Sequence, residues 1–142
     1  LSTYGTFLDI YEEVFELDNV HKIGYINVRG KKFKELTKKC GFHILPSGSE
    51  SDSSAVATCM KRGLIPIVSP QTIKNVGEWG IGLEDSSIET IKESISDASE
   101  ISPDTCREMS RKAYEYAADK HSRERFARSI REVLSKILKV EN

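Results

Sequence analysis

No hydrophobic run in the 142 residues approaches the roughly 20 that a membrane-spanning helix needs, and no stretch at the start reads as a signal peptide. Positive charge is not in excess. Lys and Arg number 21 against 22 Asp and Glu, for a net charge of -1, and no long basic run occurs. That excludes a nucleic-acid binder working through bulk charge, so no nucleic-acid partner is expected. Cysteine is scarce. The three present, Cys40, Cys59 and Cys106, are odd in number, lack metal-ligand spacing and sit among apolar residues, as buried thiols of a reducing compartment would. No Asp-x-Asp pair lies in a plausible loop, so no metal is implied. Internal repeats, low-complexity tracts and interdomain linkers are missing as well. The chain opens on Leu1 rather than Met, as expected of a piece cut from something longer.

What is present fits one globular domain spanning residues 1–142, since 38% hydrophobic composition is enough for a single core. The apolar period switches repeatedly between helix-like and strand-like. Phe7, Ile10, Tyr11, Val14 and Leu17 share a helical face ending near Asp18-Asn19. "VHKIGYI", Val20 to Ile26, is expected to be a short strand, and "NVRG" its turn. Phe33, Leu36 and Cys40 mark a short helix with Gly41 as C-cap. "FHILP", Phe42 to Pro46, predicts a buried strand. Ser53 and Ser54 can cap a helix carrying Val56, Cys59 and Met60 to Gly63, before the buried strand "LIPIVS".

Helix and strand in alternation predict an α/β fold, a Rossmann-like parallel sheet with helices on both faces. "SPQTIKNVGEWGIGLE" then reads as a Gly-rich loop with one helical turn and a small strand near Gly80 to Leu83. A run of three helices closes the chain. Ile88, Ile91 and Ile95 mark the first. Cys106, Met109, Ala113 and Tyr116 mark the second, after Pro103 at its start, and Phe126, Ile130, Val133 and Ile137 the last.

Such a sheet binds ligands beyond the carboxyl ends of its strands, where "FHILP" delivers the chain. The following helix presents unpaired N–H groups and the positive end of its dipole. Ser51, Ser53 and Ser54 are small enough to let a phosphate approach those amides, which makes a diphosphate the natural guest. Asp52 or Ser53 can serve as the cap. Glu50, repelled by a diphosphate, is better suited to accept hydrogen bonds from sugar hydroxyls. The plainer alternative is a Ser-rich strand-to-helix loop with a solvated glutamate.

From about Asn19 onward the chain resembles the C-terminal domain of retaining GT-B glycosyltransferases of family 4 type. The matching pieces, in order, are Asn19-Val20, Gly24, Pro46-Ser47, Glu50, Gly63, Pro66 and Ile67-Val68-Ser69, followed by "VGEWGIGLE" and the closing "YEYAADKHSRERFARSIREVL". Each is weak alone, and the ordered set is more specific. The resemblance implies a nucleotide-diphospho-sugar donor as substrate, with no cofactor, and retaining transfer to an acceptor sugar or lipid-linked glycan held by a separate N-terminal domain.

Residue by residue, Glu50 matches the family's first glutamate, facing the donor sugar, and is the catalytic candidate. Ser47, Gly48, Ser51, Asp52, Ser53, Ser54, Ala55 and Val56 fall where the family approaches sugar and diphosphate, although it prefers glycine at two of the Ser51–Ser54 positions. Thr58 stands where a second glutamate is expected to hold the ribose. The family's basic Arg/Lys pair belongs to an upstream strand-helix unit that this chain lacks, as it lacks the acceptor domain, so activity is expected of the full protein and not of this piece. The implied setting is surface polysaccharide biosynthesis in the cytoplasm, at the inner face of the membrane in members that associate with it peripherally. Loss of the second glutamate keeps open a degenerate, non-catalytic sugar-nucleotide-binding module. A GT-B-like epimerase is a further alternative, with His43 as its only acid-base candidate.

Other residues have plainer readings. His43 reads as a hydrogen-bonded core histidine, and His21 and His121 as surface groups. Glu78 and Trp79 could border a nucleotide base, where glycines permit close approach, or could pack. Lys61 and Arg62 complement a helix dipole. The amphipathic C-terminal helices are expected to pack rather than to touch a membrane.

Overall fold

Three short strands run parallel and in chain order in the computed structural model, which describes residues 12–50 and 53–138. Strand β1 (Phe42–Leu45) pairs with β2 (Ile65–Val68), placing Phe42 opposite Ile65 and Leu45 opposite Val68. Strand β2 pairs in turn with β3 (Ile81–Gly82), Ile67 opposite Ile81. Five α-helices accompany them among the described residues: α1 (Lys31–Thr37), α2 (Ser54–Met60), α3 (Ile88–Glu100), α4 (Pro103–Lys120) and α5 (Arg123–Leu138). The arrangement is α/β and Rossmann-like, with helices on both faces of a parallel sheet.

All four residues of β2 are buried, because both of its faces are covered. Val68 points to one side, where Val56 and Met60 of α2 and Ala113 and Ala117 of α4 close over it with Trp79. Ile67 points to the other, against Leu83 and Ala98 of α3. Pro66 sits in the middle strand without costing a ladder bond. Ile65 N–H donates to the Gly41 carbonyl on the β1 side at 2.9 Å. Pro66, one residue on, therefore turns its nitrogen toward β3, which begins only opposite Ile67. Gly80 passes so close that a Cβ there would lie 2.8 Å from the Pro66 ring. The glycine is thus required by internal packing.

The loop and strand expected over 69–84, the "NVRG" turn and the three closing helices all appear. Asn27 closes the turn by accepting from Gly30 N–H at 2.8 Å, and Pro103 occupies the first turn of α4. Gly63, at φ +83°, ends the α2 segment in the left-handed conformation that favours glycine.

Several expectations fail. Val20 to Ile26 forms no strand. Its apolar residues Val20, Ile23 and Ile26 recur every third position, which cannot keep them on one face of a strand, and Gly24 at φ +70° interrupts extended backbone. Tyr25 is consequently 91% exposed. Strand β1 is an edge strand rather than a buried one, with Ile44 exposed. Helix α1 stops at Thr37, so Cys40 falls outside it, and Gly41 is no left-handed cap; Lys38 takes the C-cap in the right-handed region. The cysteines are not deeply buried: Cys40 is exposed, Cys59 and Cys106 are half-buried, and all three are free. Burial, with a smaller contribution from Cys40, pushes the Cys59 thiol up to about 11. Of the helix expected to end near Asp18, Glu12–Glu16 is a 3-10 turn, and Phe7, Ile10 and Tyr11 lie outside the described residues. Helix α5 contributes no buried residue. Its expected packing role is therefore not fulfilled.

Candidate functional site

The carboxyl ends of β1 and β2 are tied together by two buried hydroxyls. Ser69 and Thr72, 0% and 2% exposed, sit one turn apart just after β2 with their oxygens 3.0 Å from each other. Ser69 Oγ donates to the Ser47 carbonyl at 2.5 Å, and Thr72 Oγ1 to the Leu45 carbonyl at 3.4 Å. The carbonyls at the point where the chain leaves β1 are thus satisfied from inside the protein, as buried polar groups must be. The consequence is a fixed origin for the 46–53 loop. Sequence reasoning placed Ser69 in a motif but missed this use of it and missed Thr72. The signal was there: a serine and a threonine three apart, directly after an apolar strand.

From that origin the loop climbs to the surface. Ser47 is half-buried, and its hydroxyl accepts from Ser49 N–H at 3.4 Å. Gly48, Ser49 and Glu50 are exposed. Ser51 and Asp52 lie outside the described residues. Ser53 is the N-cap residue of α2, but its side chain makes no capping hydrogen bond. The serines heading α3 and α4 behave differently: Ser87 and Ser102 accept from Thr90 N–H and Thr105 N–H, each at 3.2 Å.

The first backbone bond reaching back from α2 is Ala57 N–H to the Ser53 carbonyl at 3.2 Å. The N–H groups of Ser54, Ala55 and Val56 precede it and have no acceptor within the helix. Ser54 and Ala55 are exposed, so small side chains and amides without an intrahelical acceptor coincide there. Val56 does not join them. It is 1% exposed and belongs to the core, so only its backbone could meet a ligand. Thr58 lies one turn further along, where its Oγ1 donates to the Ser54 carbonyl at 2.7 Å. The hydroxyl proton of Thr58 is therefore given to the helix backbone.

The other singled-out residues separate clearly. Trp79 is buried and stacks on Tyr116 with centroids 4.3 Å apart, which is packing. Exposed Glu78 pairs with Lys112 at 2.5 Å, and the bond and charge of that lysine hold its carboxyl below the usual carboxylate range. Lys61 Nζ donates to the His121 carbonyl at 2.8 Å, a structural tie. His43 is not the hydrogen-bonded core histidine expected: among the described residues its buried Nδ1 has no partner, and burial lowers its pKa below the ordinary value. Lys74 and Glu84, which sequence reasoning did not select, line a cavity of about 140 Å³ beyond the ends of β2 and β3.

Chemically, this edge of the sheet offers open amides, hydroxyls and one mobile-length carboxylate side chain. That set can hold an oxyanion at the amides and accept from hydroxyls at Glu50. No protein-family model matches the chain, and no curated protein matches it either.

Proposed function

We propose that this chain is the donor-binding part of a retaining glycosyltransferase of GT-B type, and that residues 47–56 receive a nucleotide-diphospho-sugar. The observation that carries the reading is the contrast at the helix starts. On the carboxyl edge of a parallel sheet, α2 begins with a serine whose side chain makes no cap, while α3 and α4 are capped by their serines. A diphosphate oxygen would find the Ser54 and Ala55 amides at the positive end of the α2 dipole. Glu50, four residues ahead, would accept from sugar hydroxyls and so fix the anomeric carbon against the leaving phosphate. Retaining transfer of this kind asks mainly for charge placement around an oxocarbenium-like state. The ordered resemblance from Asn19 onward supports the same reading.

The test is an amide NMR titration of the chain with UDP, GDP and ADP and with the matching sugar nucleotides, repeated on Glu50→Ala. Shifts should centre on Ser47 to Val56. Loss of one carboxylate hydrogen-bonding site should weaken the sugar nucleotides about tenfold and leave the bare diphosphates unchanged. Amides that stay still at millimolar ligand in a folded chain would sink the proposal.

One observation favours a second reading, a sugar-nucleotide-binding module without catalysis. Thr58, where the family has a second carboxylate, turns its hydroxyl inward to Ser54 instead of outward to a ribose. That reading predicts the same NMR footprint with no donor hydrolysis or transfer by any longer form of the protein.

A further inference from the structure

Among the described residues, one hydrogen bond joins residues 46–50 to a distant part of the chain, and it comes from Ser69. The Ser69 Oγ donates to the Ser47 carbonyl at 2.5 Å, across 22 positions of sequence. The side-chain bond within that stretch is local, from Ser49 N–H to Ser47 Oγ at 3.4 Å. A Cβ built on Gly48 would meet nothing within 4 Å, and Gly48, Ser49 and Glu50 are exposed, so packing adds no second hold there. Strand β1 braces the loop from one side only, being paired with β2 alone.

The holding hydroxyl is itself held. Ser69 is 0% exposed; its N–H donates to the Leu45 carbonyl at 3.4 Å, and its carbonyl accepts from Thr72 N–H and Ile73 N–H at 3.0 and 3.1 Å. Because the Ser69 proton goes to Ser47, the 3.0 Å contact between the two hydroxyls is donated by Thr72. The single proton of Thr72 has the Leu45 carbonyl, at 3.4 Å, as its more distant acceptor. Thr72 to Ser69 to Ser47 is thus a buried chain of bonds with one direction, each polarising the next.

Glu50 lies three residues beyond the held carbonyl. Three residues span at most about 10 Å, whereas the five from Leu45, where β1 ends, span about 17 Å. Without the Ser69 bond, the backbone at Glu50 therefore has a volume up to about fivefold larger to explore. We infer that Ser69, oriented by Thr72, is the positioning residue for Glu50. It sets where the carboxylate stands, and so how well the site receives the sugar, while its own buried side chain touches neither sugar nor diphosphate. The inference rests on the sugar-nucleotide reading of residues 47–56.

The experiment is amide NMR on the 142-residue chain and on Ser69→Ala, Thr72→Val, Glu50→Ala and Ser69→Ala/Glu50→Ala, first without ligand and then with UDP, GDP and ADP and their glucose derivatives. Without ligand, the heteronuclear NOE of Gly48, Ser49 and Glu50 should fall in Ser69→Ala and less in Thr72→Val, while the indole signal of Trp79 in the core stays put. Should Ser69→Ala lose that indole signal, Thr72→Val carries the same comparison. With ligand, Ser69→Ala should weaken the glucose-bearing nucleotides up to about fivefold and leave the bare diphosphates unchanged. Because Ser69 acts through Glu50, the double variant should bind no more weakly than Glu50→Ala alone. A hydroxyl that only stabilised the fold would weaken both ligand classes alike, or add its loss to that of Glu50→Ala, and either result overturns the inference. Unchanged loop order in Ser69→Ala and Thr72→Val overturns it as well, whatever binds. Wild-type amides that ignore every ligand overturn the role in sugar binding through failure of the sugar-nucleotide reading, a result told apart because loop order is read without ligand.

Discussion

Helices α2 and α4 cover the same face of the sheet and are held there by different means. The shorter one, Ser54–Met60, has no side-chain cap and no ion pair of its own among the described residues, yet it sinks Val56, Ala57 and Met60 into the core. The longer one, Pro103–Lys120, has Pro103 and a serine cap at its start. Its exposed side carries Arg111 between Glu108 and Glu115, and Lys112 on Glu78, and it buries only Ala113 and Ala117. Ser110 Oγ links the two by donating to the Gly63 carbonyl at 2.6 Å. Burial of a few large side chains therefore holds α2 without a capping hydrogen bond from Ser53.

The largest effect that would break this contrast comes from the core. Met60→Ala should lower the unfolding free energy by about 2–5 kcal/mol, read from urea denaturation, since the residue is 1% exposed and its removal leaves a cavity. For α4 the damaging change runs the other way. Ala113 is 0% exposed where the helix meets the sheet, so Ala113→Leu should cost about 1–3 kcal/mol by overpacking. A Met60→Ala variant as stable as the wild type would mean that α2 is held by something other than its buried face.

The caps give the next effect. Ser102→Ala should cost about 0.5–2 kcal/mol, because its hydroxyl accepts from Thr105 N–H, whereas Ser53→Ala should cost only a few tenths by the same thermal or urea melt. Equal losses at the two serines would show that Ser53 caps α2 in solution and would weaken the case for open amides there.

These two helices also show what was legible beforehand. Pro103 behind Ser102, with apolar residues recurring through Tyr116, specifies α4 by local rules alone, and α2 was legible from small residues followed by Val56 and Met60. Strand β2 was legible as an apolar run between Gly63 and Pro70. The error at Val20 to Ile26 arose because composition was apolar while spacing was three, and only a partner strand could have settled the difference. At the candidate site, the loop and its serines were legible, since small polar residues after a buried strand are a local pattern. The tie from Ser69 to Ser47 joins residues 22 apart in sequence and exists only once β1 and β2 pair. Likewise, nothing local distinguishes α5, whose face is uncovered, from α4, whose face is not.

The smallest expected effect is an acid titration of stability, which separates the two regions by pH. His43 shares the face of β1 that carries Leu45 toward the core under α2, and burial lowers its pKa. A buried neutral imidazole binds its proton less readily than the unfolded chain does. Its contribution is full above the ordinary value near 6.5 and is lost as pH falls from there through the lowered folded value. Glu78 and Glu108 serve α4, held down chiefly by hydrogen bonds from Lys112 and Arg111 respectively. Their contribution is full above the ordinary glutamate value and is lost only below it. Because both carboxylates are in water, that second step should be slight and should shrink further in salt. Melting temperature followed downward from pH 8 should therefore decline first below about 6.5 and again below about 4.5. His43→Gln should remove the first decline, and Glu78→Gln should blunt only the second. A first decline that survives His43→Gln would place the proton uptake elsewhere and leave the unpartnered Nδ1 without a measurable cost.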